Sequence, residues 1–266
     1  MASRSDAGMG EPVSIGRIIG HSFSAVATNP VVMLGTAFVF GALPSVIIGY
    51  FTSQVQVQLA GQPDAVRDGA ILMIGSSLIN FIFAMIAQGA LVRATVAHLD
   101  GRKAGFGESV AAAMRVLFWL ILLAIAIALS VWVGLLFLLV PGIMLYVIWS
   151  VASPALVEER GGVIGALGRS RRLTKGARWK VFGLQLILVI AYFLVAALLG
   201  YGAIASTGQS VAAARVGGVS IVLLVTNVLI TTIMSTFWST AQTALYVELR
   251  DWKDGPTSDR LADVFA

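Results

Sequence analysis

From Val116 to Val157 the chain runs for 42 residues without an Asp, Glu, Lys or Arg. As one helix this stretch would be ~63 Å long, about twice the ~30 Å hydrocarbon core of a bilayer, so it reads as two membrane spans joined by a turn. Pro141-Gly142 is the strongest breaker in it, yet a turn there leaves only the 16 residues Gly142 to Val157 for the second span. A turn near Gly134, with Pro141 early in the following helix, divides the stretch more evenly and is the expected place.

The rest of the chain repeats this character. Of its 266 residues 58% are hydrophobic and 12% charged, about half the ~25% charged fraction of a soluble domain. Four further spans are expected: Val31 to Phe51, kinked at Pro44; Ala70 to Val96, with Asn80 and Gln88 as buried polar side chains and Arg93 snorkelling at its end; Val181 to Ala203; and Gly217 to Tyr246. A polar loop is expected from Thr52 to Gly69. The predicted fold is all-α, a polytopic transmembrane helical bundle of six spans with short interfacial cytoplasmic helices. Residues 1–30 form a cytoplasmic N-terminal segment with an interfacial helix, 31–250 the six-span membrane domain, and 251–266 a cytoplasmic tail. Residues 1–30 hold no long apolar core before a small-residue cleavage site, so the first span is expected to direct insertion.

Orientation follows from the positive charges. With the N-terminus inside, all of the 18 Lys and Arg except Arg67 and Arg215 fall on the inner side, as the positive-inside bias requires. The expected location is a bacterial inner membrane, multi-pass, with both termini cytoplasmic. The net charge of +5 gathers beside apolar spans, where it reads as a topology and lipid-surface signal and not as a nucleic-acid footprint. Three mixed segments, Ile15 to Asn29, Phe106 to Arg115 and Val163 to Lys175, precede spans one, three and five, each placed as a helix lying on the membrane before a helical hairpin.

No pattern for catalysis stands out. There is no cysteine, so thiolate chemistry and cysteine-ligated metals are excluded. His21 and His98 are the two histidines, each apart from any H-E-x-x-H pattern or carboxylate pair. P-loop, G-x-G-x-x-G and G-x-S-x-G motifs are absent, and no cofactor or metal is called for. No Asp, Glu or Lys lies well inside a span, which counts against an ion-coupled pump.

Two features remain as candidates. The first is Glu158 to Lys180, EERGGVIGALGRSRRLTKGARWK. Drawn as a helix from Val163, it sets Val163, Ile164, Ala166, Leu167, Ser170 and Leu173 on one side and Arg169 and Arg172 on the other, with Gly176 placed to end it. Its simplest reading is a basic interfacial helix that fixes topology and touches anionic lipid, each Lys or Arg contributing ~1 kcal/mol near such a surface. A sharper reading is a headgroup or phosphate site in which Arg169 and Arg172 grip phosphate while Glu158 or Glu159 tethers the arginines. The candidate face comprises Glu158, Arg169, Ser170, Arg171, Arg172, Lys175 and Trp179. The second feature is a polar seam on span six, Asn227, Thr231, Ser235, Ser239 and Gln242, at intervals of four, four, four and three. Such a seam marks a helix contact or lines a polar path. Ala124 with Ala128, and Ala196 with Gly200, are small-residue pairs suited to close helix packing.

Pro141-Gly142, Trp149, Pro154, Glu158, Ala166-Leu167, Arg169-Ser170, Leu173-Thr174-Lys175-Gly176 and Trp179 together resemble a widespread bacterial six-helix domain. This is the membrane domain attached to some glycerophosphoryl diester phosphodiesterases and also found alone in inner-membrane proteins. The resemblance covers Pro141 to Phe182, and departs from the family's usual aromatic residue after the Arg-Ser pair, where this chain has Arg171. In that family the diesterase reaction belongs to a separate TIM-barrel domain, which needs ~250 residues. The six spans leave no room for one here, so the resemblance implies no catalytic role. The function expected is a non-enzymatic, envelope-related membrane protein that engages lipid, anionic headgroups above all, or a protein partner or second copy, through its basic cytoplasmic face. The alternative is a small permease or channel for an uncharged or lipid-like solute, with the span-six seam along its path.

Overall fold

The computed structural model describes residues 13–207 and 221–255, and among these the chain is helical with short turns and no strand. Six stretches are long and apolar enough to cross a membrane, which makes the chain a multi-pass integral membrane protein: Pro30–Leu59, Ala65–Leu99, Phe106–Phe137, Leu139–Glu159, Arg178–Ala205 and Ile221–Asp254.

Helix α1 (Ile15–Thr28) precedes the first span and buries Ile18, Ser22 and Ala25, one face at helical spacing. It stops at Asn29 because Pro30 opens α2 (Pro30–Ala37) and drives the residue before it out of the helical region, φ −139° and ψ 62°. Span one continues through a π-helical turn, Phe38–Ala42, into α3 (Leu43–Leu59). The kink expected at Pro44 takes this form. Proline cannot donate to the Phe40 carbonyl and its ring crowds that group, and the Leu43 N–H reaches back to Phe38 instead.

The polar loop expected over Thr52 to Gly69 is much shorter. The helix persists through Leu59, the turn occupies Ala60 to Asp64 around Gly61 (φ 88°), and α4 (Ala65–Leu99) follows. Gln54, Gln56 and Gln58 are polar but straight-chained, so they sustain a helix. Phe106 to Arg115, expected as a separate interfacial helix, is the first part of a continuous α5 (Phe106–Phe137).

The long apolar run turns at Leu138, four residues beyond the expected Gly134, and Pro141 sits in the first turn of α6 (Leu139–Ile148), where its missing N–H costs nothing. Gly134 is helical and serves a close crossing. A Cβ there would lie 2.9 Å from Gly142 Cα, and one on Gly142 would lie 2.5 Å from Leu135 Cγ. Span four then breaks at Trp149 to Val151 and resumes as α7 (Ala152–Glu159). After α8 (Gly162–Thr174) come α9 (Arg178–Thr207) and α10 (Ile221–Asp254). Gly217, the expected start of span six, lies outside the described residues. At the other end α10 continues through Asp254, so Asp251 to Asp254 belong to the helix and not to a tail.

Fully buried side chains collect at one end of the bundle: Ile18, Leu91, Leu120, Leu123, Leu156, Leu173, Leu184, Tyr246 and Leu249. They come from the C-terminal halves of α4 and α10, the N-terminal parts of α5 and α9, and from α1, α7 and α8. Toward the opposite end large apolar side chains are exposed, among them Ile71, Ile74, Leu136, Phe137, Leu198 and Ile221. That is the pattern of helices whose solvent is lipid.

Candidate functional site

The packed end of the bundle is organised around the α7–α8 hairpin. Pro154, in the first turn of α7, removes the N–H that would bond the Ser150 carbonyl and crowds that carbonyl, which interrupts span four just before it. The Ala152 N–H bonds Trp149, leaving the Ile148 carbonyl without a helical donor. Helix α8 supplies two. Ser170 Oγ donates to the Ile148 oxygen at 2.7 Å and Thr174 Oγ1 at 3.3 Å, with both side chains fully buried. Ser170, assigned from the sequence to a headgroup face, is therefore turned inward to hold the broken span.

The start of α8 is set by Arg160 (φ 50°) and Gly162 (φ 69°), and Gly176 (φ 91°) follows its end. Ala166, Ser170, Leu173 and Thr174 are buried, as the amphipathic drawing anticipates for three of them, whereas Ile164 is exposed. Arg169 does not sit on a free polar face. Its Nε donates to Glu159 Oε1 at 2.7 Å, its Nη1 to Asp254 Oδ1 at 3.3 Å, and its Nη2 to Asp254 Oδ2. The Asp254 carboxylate, with Glu159 adding to it, holds the Arg169 guanidinium above its ordinary pKa against the opposing effect of burial. Tyr246 donates to the same Glu159 oxygen at 2.8 Å. Arg169 thus latches the hairpin to the end of α10, with each of its three guanidinium nitrogens engaged. Asp254 and Tyr246 escaped the sequence reading because they lie far along the chain from Arg169.

The two glutamates divide the tethering. Glu159 takes Arg169, while Glu158 pairs at 3.5 Å with Arg93, whose other terminal nitrogen lies 3.3 Å from Glu108. Arg93, expected to snorkel, instead joins the ends of α4, α5 and α7.

Arg171, Arg172 and Lys175 are exposed and make no ion pair among the described residues. Close by in sequence, Trp179 is 85% exposed and meets Phe182 edge-on. Next to Trp179, Arg178 has a buried Nε with no hydrogen-bond partner among the described residues. These three α9 residues face Val140, Ile143, Met144 and Val147 of α6 across an apolar groove of ≈ 480 Å³. Sequence reading named Trp179 but passed over Arg178, although a basic residue beside an interfacial tryptophan is a recognisable signal.

The span-six seam does not act as one unit. Asn227 is exposed, Thr231 and Ser235 are half-buried, and Ser239 and Gln242 are buried. The more deeply buried polar face is Thr232, Thr236, Thr240 and Thr243, legible as a four- and three-residue repeat of its own. Thr236, Thr240 and Thr243 donate to carbonyls four residues back at 2.7, 2.9 and 2.8 Å. Gln242 Nε2 donates to Gln185 Oε1 at 2.9 Å and ties α10 to α9. Gln242 also borders a cavity of ≈ 310 Å³ between α4, α5, α10 and the break in span four.

Among the described residues no three His, Asp or Glu side chains are grouped to hold a metal ion. No family model matches the chain, and no curated protein or solved structure matches it.

Proposed function

We propose that this is a non-catalytic bacterial inner-membrane protein, with both termini cytoplasmic, that binds anionic phospholipid at the packed, basic end of its bundle. The observation that carries the reading is Arg178 at the edge of the α6–α9 groove. A guanidinium with no hydrogen-bond partner among the described residues, beside ≈ 480 Å³ of apolar space, matches a phosphate above an acyl chain. Arg171 and Arg172 of α8 and Lys175 just after it, unpaired among the described residues, add attraction for an anionic surface, and exposed Trp179 suits the headgroup level. The proposal includes kinship with the membrane domain of glycerophosphoryl diester phosphodiesterases, supported by the resemblance over Pro141 to Phe182.

The test is native mass spectrometry of detergent-purified protein titrated with phosphatidylglycerol or phosphatidylcholine. Wild type should retain phosphatidylglycerol preferentially, and Arg178→Gln should weaken that retention about tenfold, the loss of a charge-assisted bond of ~1.5 kcal/mol, while phosphatidylcholine is unaffected. Equal retention of the two lipids by wild type would overturn the proposal.

A further inference from the structure

Independently of the lipid-binding reading, we infer that the cavity at the break in span four is a binding site for a small uncharged molecule bearing hydroxyl or amide groups. Its lining combines Trp132, Trp149 and Trp238 with Gln88, Ser153 and Gln242, in a volume of ≈ 310 Å³. Small-molecule sites start at about this size and mix apolar walls with a few polar groups in this way. Among the described residues no Asp, Glu, Lys, Arg or His lines it, so an ion entering would lose its hydration with no counter-charge to replace it.

Three features separate the cavity from imperfect packing. First, Ala124 and Ala128 of α5, a small-residue pair of the kind that lets helices close together, line open space instead, in contrast to the tight crossing that Gly134 of the same helix makes with Gly142 of α6. Second, the backbone beside it is broken, and irregular backbone at membrane depth is tolerated where it is enclosed by protein or lines a polar cavity. Third, Ser150 is on the wall, and its carbonyl, which Pro154 cannot serve, accepts no hydrogen bond among the described residues. A ligand hydroxyl or amide N–H is the complement of that acceptor, and tryptophan faces suit the apolar side of the same molecule.

The native chain has no cysteine, so a single Ser153→Cys reports on the cavity without background. The probes are three methanethiosulfonates of similar size, one neutral (2-hydroxyethyl), one cationic (trimethylammonium-ethyl) and one anionic (sulfonatoethyl), applied to the whole protein in detergent. The comparison position is Leu129→Cys, where the native side chain is 62% exposed on α5. The neutral probe should modify S153C about tenfold faster than L129C and about tenfold faster than either charged probe modifies S153C, because the charged reagents must shed hydration. Its rate should saturate with concentration, the mark of a complex formed before reaction, and adding Ala128→Trp should abolish the advantage. A rate no higher than that of L129C would mean a closed, dry void, and equal rates for all three probes would mean an unselective water-filled cleft. Either result overturns the inference. Should S153C fail to elute as a folded species, Ser150→Cys carries the same comparison. Arg178→Gln should leave the modification rate unchanged.

Discussion

The break in span four offers the sharpest test of how this bundle is held together. Ile148 is 8% exposed and Ser170 and Thr174 are fully buried, so the Ile148 carbonyl depends on two hydroxyls from α8 and on nothing in its own helix. A buried acceptor left unpaired costs ~1–3 kcal/mol. In Ser170→Ala the Thr174 hydroxyl can still serve Ile148, but its single proton is also wanted by the Ser170 carbonyl at 2.9 Å, so a loss of about 1 kcal/mol is expected. Thr174→Val removes the longer bond and should cost about 0.5–1 kcal/mol. Together they orphan the carbonyl, and the double variant should lose about 2–3 kcal/mol, more than the sum of the singles, as expected for donors that share one acceptor. Unfolding in mixed detergent and dodecyl sulfate micelles, followed by far-ultraviolet circular dichroism, measures each term. The decisive arm is Pro154→Ala. It restores the N–H for Ser150 and allows the helix to close through Ala152 to Ile148, so in that background the double substitution should cost under about 0.5 kcal/mol. An undiminished penalty in the Pro154→Ala background, or strict additivity in the native one, would refute the idea that α8 caps a proline-induced break.

Other consequences can be checked in the same micelles. Arg169→Met leaves Glu159 and Asp254 facing each other across a half-buried site without their cation; a loss of about 1–3 kcal/mol is expected, with Glu159→Gln in the same chain recovering part of it. Gly142→Ala puts a methyl 2.5 Å from Leu135 Cγ and should destabilise by about 1–3 kcal/mol, whereas Gly200→Ala, with open space around it, should cost nothing measurable and gain slightly in helix propensity. Gln242→Leu strands the Gln185 amide and should cost about 1–3 kcal/mol, while Gln185→Leu with Gln242→Leu together should be nearly neutral, which a four-variant cycle reads directly. For topology, Gln58→Cys should react with a membrane-impermeant maleimide on intact cells, and Arg172→Cys only after permeabilisation. The reverse order would invert the proposed orientation.

Much of this fold is legible in one dimension because lipid imposes simple rules. A run of ~20 uncharged residues has to be a span, and Lys and Arg distribute by side, so span number follows from counting residues and the expected orientation from counting charges. Pro44 and Pro141 likewise announced local geometry, one a distortion within span one and the other the opening of α6. The turn at Leu138 was missed because no turn-forming residue marks it. The glycines nearby act in a close crossing, which depends on what stands opposite them.

What the tertiary structure alone decided is which polar groups are already spoken for. Arg169, Arg171 and Arg172 are near neighbours in the chain, but Asp254, 85 residues away, and Glu159 claim the first and leave the other two exposed. Ser170 falls on the apolar side of α8 by its spacing, but its partner, the Ile148 carbonyl broken out of its helix by Pro154, is found only in the fold. Local sequence sets hydrophobic period and breaking points. The pairing of a donor with an acceptor depends on packing between segments far apart in the chain, and that pairing separates Arg169 and Ser170, engaged in structural contacts, from the Arg178 Nε and the Ser150 carbonyl, which have no partner among the described residues.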